Sequence, residues 1–139
     1  MDTKENGIFV CSLRECSEQD WYSYPEDHRS PRGSWVESIT ISARASTQRD
    51  EKQPLEIRIR LIGEYRDGII ELTYKNVQSY LLEGMRDIAG HGDWLEDEVK
   101  VNRHDQLKHK VTVTNGTFVI EAEDIEFKWK PLPRYSEQP

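Results

Sequence analysis

Two turn dipeptides, Asp67-Gly68 and Asn115-Gly116, each lie between runs of alternating apolar and polar residues, and they constrain this chain more than any other feature. Both dipeptides supply the positive φ angles of a type I′ turn, whose twist suits a two-residue β-hairpin. Counting outward from Asn115-Gly116 sets Val113 opposite Phe118, Val111 opposite Ile120 and His109 opposite Ala122. The other face sets Lys110 against Glu121 and Lys108 against Glu123. One face is mostly apolar and the other pairs opposite charges, so a slip of one residue would destroy both patterns. The same count at Asp67-Gly68 sets Tyr65 opposite Ile70, Gly63 opposite Leu72 and Leu61 opposite Tyr74. Its outer face is less favourable. Glu64 falls against Glu71 and Arg60 against Lys75, and like charges across a ladder destabilise it.

Alternation extends well beyond the hairpins. Leu55, Ile57, Ile59 and Leu61 are separated by Glu56, Arg58 and Arg60. Trp35 to Ala45 places Trp35, Ile39, Ile41 and Ala43 on one parity, with Glu37 among them. Residues 8–13 and 94–101 read as shorter strands, the second with Val99 and Val101 on one face. Past Ala122 the apolar parity changes from even to odd, through Ile125, Phe127 and Trp129. A β-bulge near Glu123-Asp124 would produce that change of phase. Residues 77–89 fit either a strand to about Glu83 or a short helix capped by Asn76. A helix would carry Gly84 internally at a cost of about 1 kcal/mol, which favours the strand.

The expected fold is all-β: an antiparallel β-sandwich or barrel-like meander of about seven or eight strands, the region 77–89 being the one place for a short helix. Residues 1–139 form one domain, with an ordered core over about 8–131 and flexible ends at 1–7 and 132–139. Ser46 to Pro54 is a polar loop, and Cys16 to Ser34 a long irregular one.

The net charge of −7 argues against duplex nucleic acid and against an anionic membrane surface, since both attract basic proteins. No apolar run is long enough to span a bilayer, and the N-terminus lacks the pattern of a secretory signal. The expectation is a cytoplasmic protein whose two cysteines, Cys11 and Cys16, are reduced core or loop thiols. Their spacing is not that of a CxxC redox or zinc motif.

No phosphate-binding loop, nucleophile elbow or zinc-protease motif occurs. His91, Asp93, Glu96, Asp97 and Glu98 form the densest polar cluster, and His91 with Asp93 is the weak metal candidate. A calcium loop opening at Asp93 would need glycine at its sixth position, where Glu98 stands. No cofactor or metal is expected. His109 sits on an apolar face, and Glu37 among apolar positions, so the two make the acid/base pair to consider for catalysis. The run Trp21, Tyr22 and Tyr24, followed by His28 and Arg29, has the composition of an interface hot spot, and Trp94 adjoins a loop. The favoured reading is a non-enzymatic acidic protein that binds another protein of basic character, as an inhibitor or immunity-type partner would. The alternative is a small-molecule-binding or catalytic barrel with an interior site at His109 and Glu37.

Overall fold

All strand pairing is antiparallel and belongs to one sheet. The computed structural model describes residues 7–43, 54–84 and 90–133. The expected loose termini and the polar loop after Ala45 fall largely outside those residues. The elements are β1 (Phe9–Ser12), α1 (Leu13–Cys16), α2 (Asp20–Ser23), β2 (Trp35–Ala43), β3 (Leu55–Ile62), β4 (Gly68–Gly84), β5 (Trp94–Val101), β6 (Leu107–Val113) and β7 (Gly116–Pro131). The sheet order is β2-β3-β4-β7-β6-β5, with β1 on the edge of β7 beyond β6. Thus β7 pairs along its length with β4, while its other edge is shared between β6 at 116–122 and β1 at 126–129. The starts of the two outer strands meet through an isolated bridge between Trp35 and Asp93 and through bonds from Val36 N–H to Gly92 O and from Trp94 N–H to Ser34 O. The sheet therefore curls until its edges touch without closing into a barrel. Residues 77–84 continue β4, as the cost of an internal glycine predicts, and 85–89 lie outside the described residues.

Both hairpins form, each in a register other than the one counted from its dipeptide. In β3–β4, Leu61 faces Ile70, Ile59 faces Leu72 and Ile57 faces Tyr74. The shift is an even number of residues, so the apolar face survives. The charges improve: Arg60 now opposes Glu71, with Nη1 to Oε2 at 3.0 Å, and the Glu64–Glu71 clash disappears. The positive φ of this turn belongs to Arg66. In β6–β7, Val113 pairs with Gly116, Val111 with Phe118 and His109 with Ile120. Lys108 opposes Glu121. The loop residues are Thr114 and Asn115, held from outside the hairpin. Asn115 N–H donates to His91 O at 3.1 Å, its Nδ2 to Gly90 O at 2.8 Å, and Thr114 N–H to Asp93 O at 2.9 Å.

Neither Gly68 nor Gly116 has a positive φ. Their missing side chains serve close packing instead. A Cβ on Gly68 would lie 1.9 Å from the Trp129 ring, and one on Gly116 would lie 1.8 Å from the Glu83 carbonyl oxygen.

Irregular positions decide which side chains face inward. In β2 the register slips between Val36 and Ser38, leaving Glu37 as the extra residue. Val36 then opposes Leu61, Ile39 opposes Ile59 and Ile41 opposes Ile57. Val36 is buried and Ile39 half-buried, whereas Trp35, Glu37 and, toward the end of the strand, Ile41 are exposed. The apolar phase of β7 changes between Ala122 and Ile125, but the bulge expected near Glu123-Asp124 lies across the ladder instead, in β4, where the register slips between Val77 and Ser79 next to Asn76 at φ +52°. Asn and Asp are among the few non-glycine residues that visit this region.

The curled sheet encloses Ile57, Ile59, Leu61, Ile70, Leu72, Leu107, Val111, Phe118, Ile120 and Phe127. The expected strand 8–13 stops at Ser12 and passes into α1, and the segment read as an irregular loop from Cys16 to Ser34 contains α2. Leu13 and Cys16 of α1 and Tyr22 of α2 join the core. Phe9, Trp21, Tyr22 and Phe127 form an edge-to-face cluster with centroids 5.4–6.4 Å apart.

Candidate functional site

Two places gather chemically capable side chains. The first is interior. In β5 the register slips between Trp94 and Glu96, after which Asp97 opposes Val111 and Val99 opposes His109. Asp97 therefore shares its parity with Val99, both half-buried, and with Val101, which is exposed at the strand end. Its Oδ2 accepts the Tyr22 hydroxyl at 2.6 Å and meets His109 Nε2 at 2.6 Å. His109 Nδ1 meets the Tyr74 hydroxyl at 2.8 Å. Trp94 Nε1 donates weakly to Asp97 Oδ1 at 3.4 Å. A carboxylate only accepts, so His109 Nε2–H donates to Asp97, and in the neutral ring Nδ1 takes the Tyr74 hydrogen. His109 is 0% exposed, and both ring nitrogens are bonded. Burial, then the Asp97 charge, pushes both the Tyr22 and Tyr74 hydroxyls up from the ordinary tyrosine value.

Asp97 and Tyr22 reach the floor of a cleft of about 300 Å³, flanked by Arg14, Arg32, Glu18 and Glu96. Both arginines are engaged. Arg14 donates to Asp105 O at 3.0 Å, and Arg32 to Ser23 O and Leu95 O, both at 3.3 Å.

Glu37 and His109 are given different partners. The bulge turns Glu37 outward, where Arg60 Nε donates to its Oε1 at 2.6 Å. His109 is tied to Asp97 and Tyr74. The proposed acid/base pair is corrected accordingly: neither side chain bonds the other, and His109 has no nitrogen left for a substrate. The parity that Asp97 shares with Val99 and Val101 was the signal for its inward placement.

The second place is a surface built by the 24–33 and 63–68 loops. His28 stacks on Tyr65 with ring centroids 4.0 Å apart and planes 11° apart. His28 Nδ1 contacts Asp67 Oδ2 at 2.5 Å, and the Tyr65 hydroxyl donates to Pro25 O at 2.9 Å. Glu64 lies against Gly33. Tyr24 is 56% exposed and Tyr65 44%. Glu26 and Glu64 are exposed beside them in sequence.

The six expected binding residues divide between these places. Tyr24 and His28 are on the surface. Tyr22 and Trp94 are buried and cannot meet a macromolecule directly, which corrects their expected role. Trp21 packs into the aromatic cluster. Arg29 lies over the Phe9 and Trp21 rings at 4.9 and 4.3 Å, and both Asp27 oxygens hold its guanidinium at 2.9–3.0 Å. That pairing lowers the Asp27 carboxyl below its ordinary value. Tyr65 was not singled out in the sequence because the expected register placed it in the ladder. His91 packs edge-on against Phe118, with centroids 5.3 Å apart, and Asp93 is exposed. Among the described residues no three His, Cys, Asp or Glu side chains gather as a metal site, and no helix is long and apolar enough to cross a membrane.

These features define a curled antiparallel sheet with a buried polar cluster that reaches one cleft, and a two-loop aromatic surface. Compared with protein-family models, with curated proteins and with solved structures, the chain matches none.

Proposed function

We propose that this chain is a non-enzymatic binding protein that recognises another protein of basic character through the Tyr24–His28–Tyr65 surface. The observation that carries this reading is that two exposed rings, His28 and Tyr65, are held in place before any partner arrives, beside the exposed Tyr24. A stacked pair, a hydroxyl-to-carbonyl bond and a His–Asp contact join the two loops. Tyrosine offers large contact area with few torsions to freeze, and a prepositioned surface avoids part of the ordering cost of binding. Glu26 and Glu64, with the net charge of −7, would steer a basic partner toward it. The interior supports the non-enzymatic half of the reading, because the His109 ring is shut away from any substrate.

The test uses the tagged full chain as bait in a lysate of the source cells, beside a Tyr24→Ala/Tyr65→Ala double variant. Trp21 is left intact because it packs in the core. A partner held by the wild type should bind the double variant at least about thirtyfold more weakly, the effect of losing one hot-spot side chain worth about 2 kcal/mol. Far-UV circular dichroism should show the variant folded. Equal affinity in both baits would remove this surface from the reading.

A further inference from the structure

The chain contains two cysteines, and the fold places them on either side of the Ser12 cap, one in β1 and one at the end of α1. Ser12 is the N-cap of α1, with φ −75° and ψ 138°, and its Oγ accepts the Arg14 N–H at 3.3 Å. Cys11 is then the residue before the cap and Cys16 the fourth residue of the helix. Side chains at these two positions pack together in the hydrophobic staple of a helix N-terminus. Pairing in β1 agrees. Cys11 opposes Phe127 of β7, whose ring is buried, while the neighbouring Val10 is exposed. Leu13 and Cys16 form the buried face of α1. Interaction with the Cys11 side chain first, and burial second, push the Cys16 thiol up from its ordinary value. Cys11 is the partly accessible member and Cys16 the enclosed one.

We infer that Cys11 and Cys16 form an oxidisable thiol pair, in which Cys11 reacts first with a small-molecule disulfide and Cys16 resolves the product to an intrachain disulfide. Attack by the Cys11 thiolate on one sulfur of the reagent forms a mixed disulfide and expels one thiolate. Attack by Cys16 on Cys11 Sγ breaks that mixed disulfide and expels the second. The two protein thiols lose two electrons together, the reagent gains them, and the two thiol protons end on the two released thiolates. The new bond would fasten the end of β1 to α1, the segment that leads to Tyr22 and its bond to Asp97. This inference does not depend on the proposed binding function.

The experiment incubates the folded full chain with oxidised glutathione, alkylates the remaining thiols and reads intact mass and peptide linkage. The wild type should lose two hydrogens, retain no glutathione and yield one Cys11–Cys16 linkage within a monomer, with a higher thermal midpoint than the reduced chain. Cys16→Ser should keep one glutathione on Cys11. Cys11→Ser should stay unmodified while folded, because Cys16 is enclosed. The inference is overturned if the wild type retains glutathione on Cys11, links to a second chain, or remains fully reduced. It is equally overturned if Cys11→Ser reacts as fast as the wild type.

Discussion

Tyrosine, histidine and aspartate come together twice in this molecule. Inside the curled sheet, Tyr74, His109 and Asp97 make an end-to-end chain of hydrogen bonds, joined by Tyr22. At the surface, Tyr65 stacks flat on His28, and His28 meets Asp67. The residue types are the same and the physical worth is not. Within the interior set Tyr74 and His109 have no water to fall back on, so a donor or acceptor left alone there would keep its full desolvation penalty. In the surface set, water competes for every polar atom and screens the charges. The first set holds the N-terminal segment to the sheet. The second holds two loops in one shape while leaving their aromatic faces open.

Asp97→Ala should break the comparison at its stronger end. It would strand the Tyr22 hydroxyl and His109 Nε2 inside the sheet, and loss of a buried paired charge typically destabilises by about 3–5 kcal/mol. Urea unfolding followed by tryptophan fluorescence measures this directly. A loss under about 1 kcal/mol would mean that water already serves these groups, and the two sets would then differ in position alone.

Alkaline pH should separate the sets next. Tyr22 and Tyr74 are held above the ordinary value, by burial first and by the Asp97 charge second. A raised value in the folded state gives stability that is complete below the unfolded value, about 10 for tyrosine. That stability falls as pH rises from there toward the folded values, because only the unfolded chain can release these protons. Thermal midpoints should therefore decline above about pH 10, and Tyr22→Phe should make the decline shallower. The same variant should lose about 1 kcal/mol near neutral pH, the ordinary net worth of one hydrogen bond. An unchanged alkaline slope would show that Tyr22 does not contribute.

The sequence pattern revealed the strands and most inward faces, because a period of two survives any even shift of register. It could not reveal the shifts themselves. The β6–β7 turn is fixed by bonds from Gly90, His91 and Asp93, far away in sequence. The like charges of Glu64 and Glu71 were the visible sign that the first hairpin needed a different register. Glu37 was misplaced because a bulge on an edge strand inverts parity without any composition signal. Asp97 could have been found. It shares parity with Val99 and Val101, and a carboxylate among inward residues demands partners. That those partners would be His109 and Tyr22, with Tyr74 bonded behind the histidine, required four separate elements to be assembled.

The smallest expected effect lies at the weaker end of the comparison. Asp67→Asn removes the charge that faces His28 and leaves the Tyr65 stack and the Tyr65–Pro25 bond untouched. With half of the His28 side chain and a third of that of Asp67 open to solvent, screening reduces the pair to about 0.5 kcal/mol or less. Urea midpoints of the variant and the wild type should nearly coincide. If the 24–33 loop is held chiefly by stacking, hydrogen exchange in that loop should also be unchanged. A large increase in exchange confined to residues 24–33 would shift the source of preorganisation from the aromatic stack to the carboxylate. The surface set would then depend on a bonded partner for its His, as the interior set does.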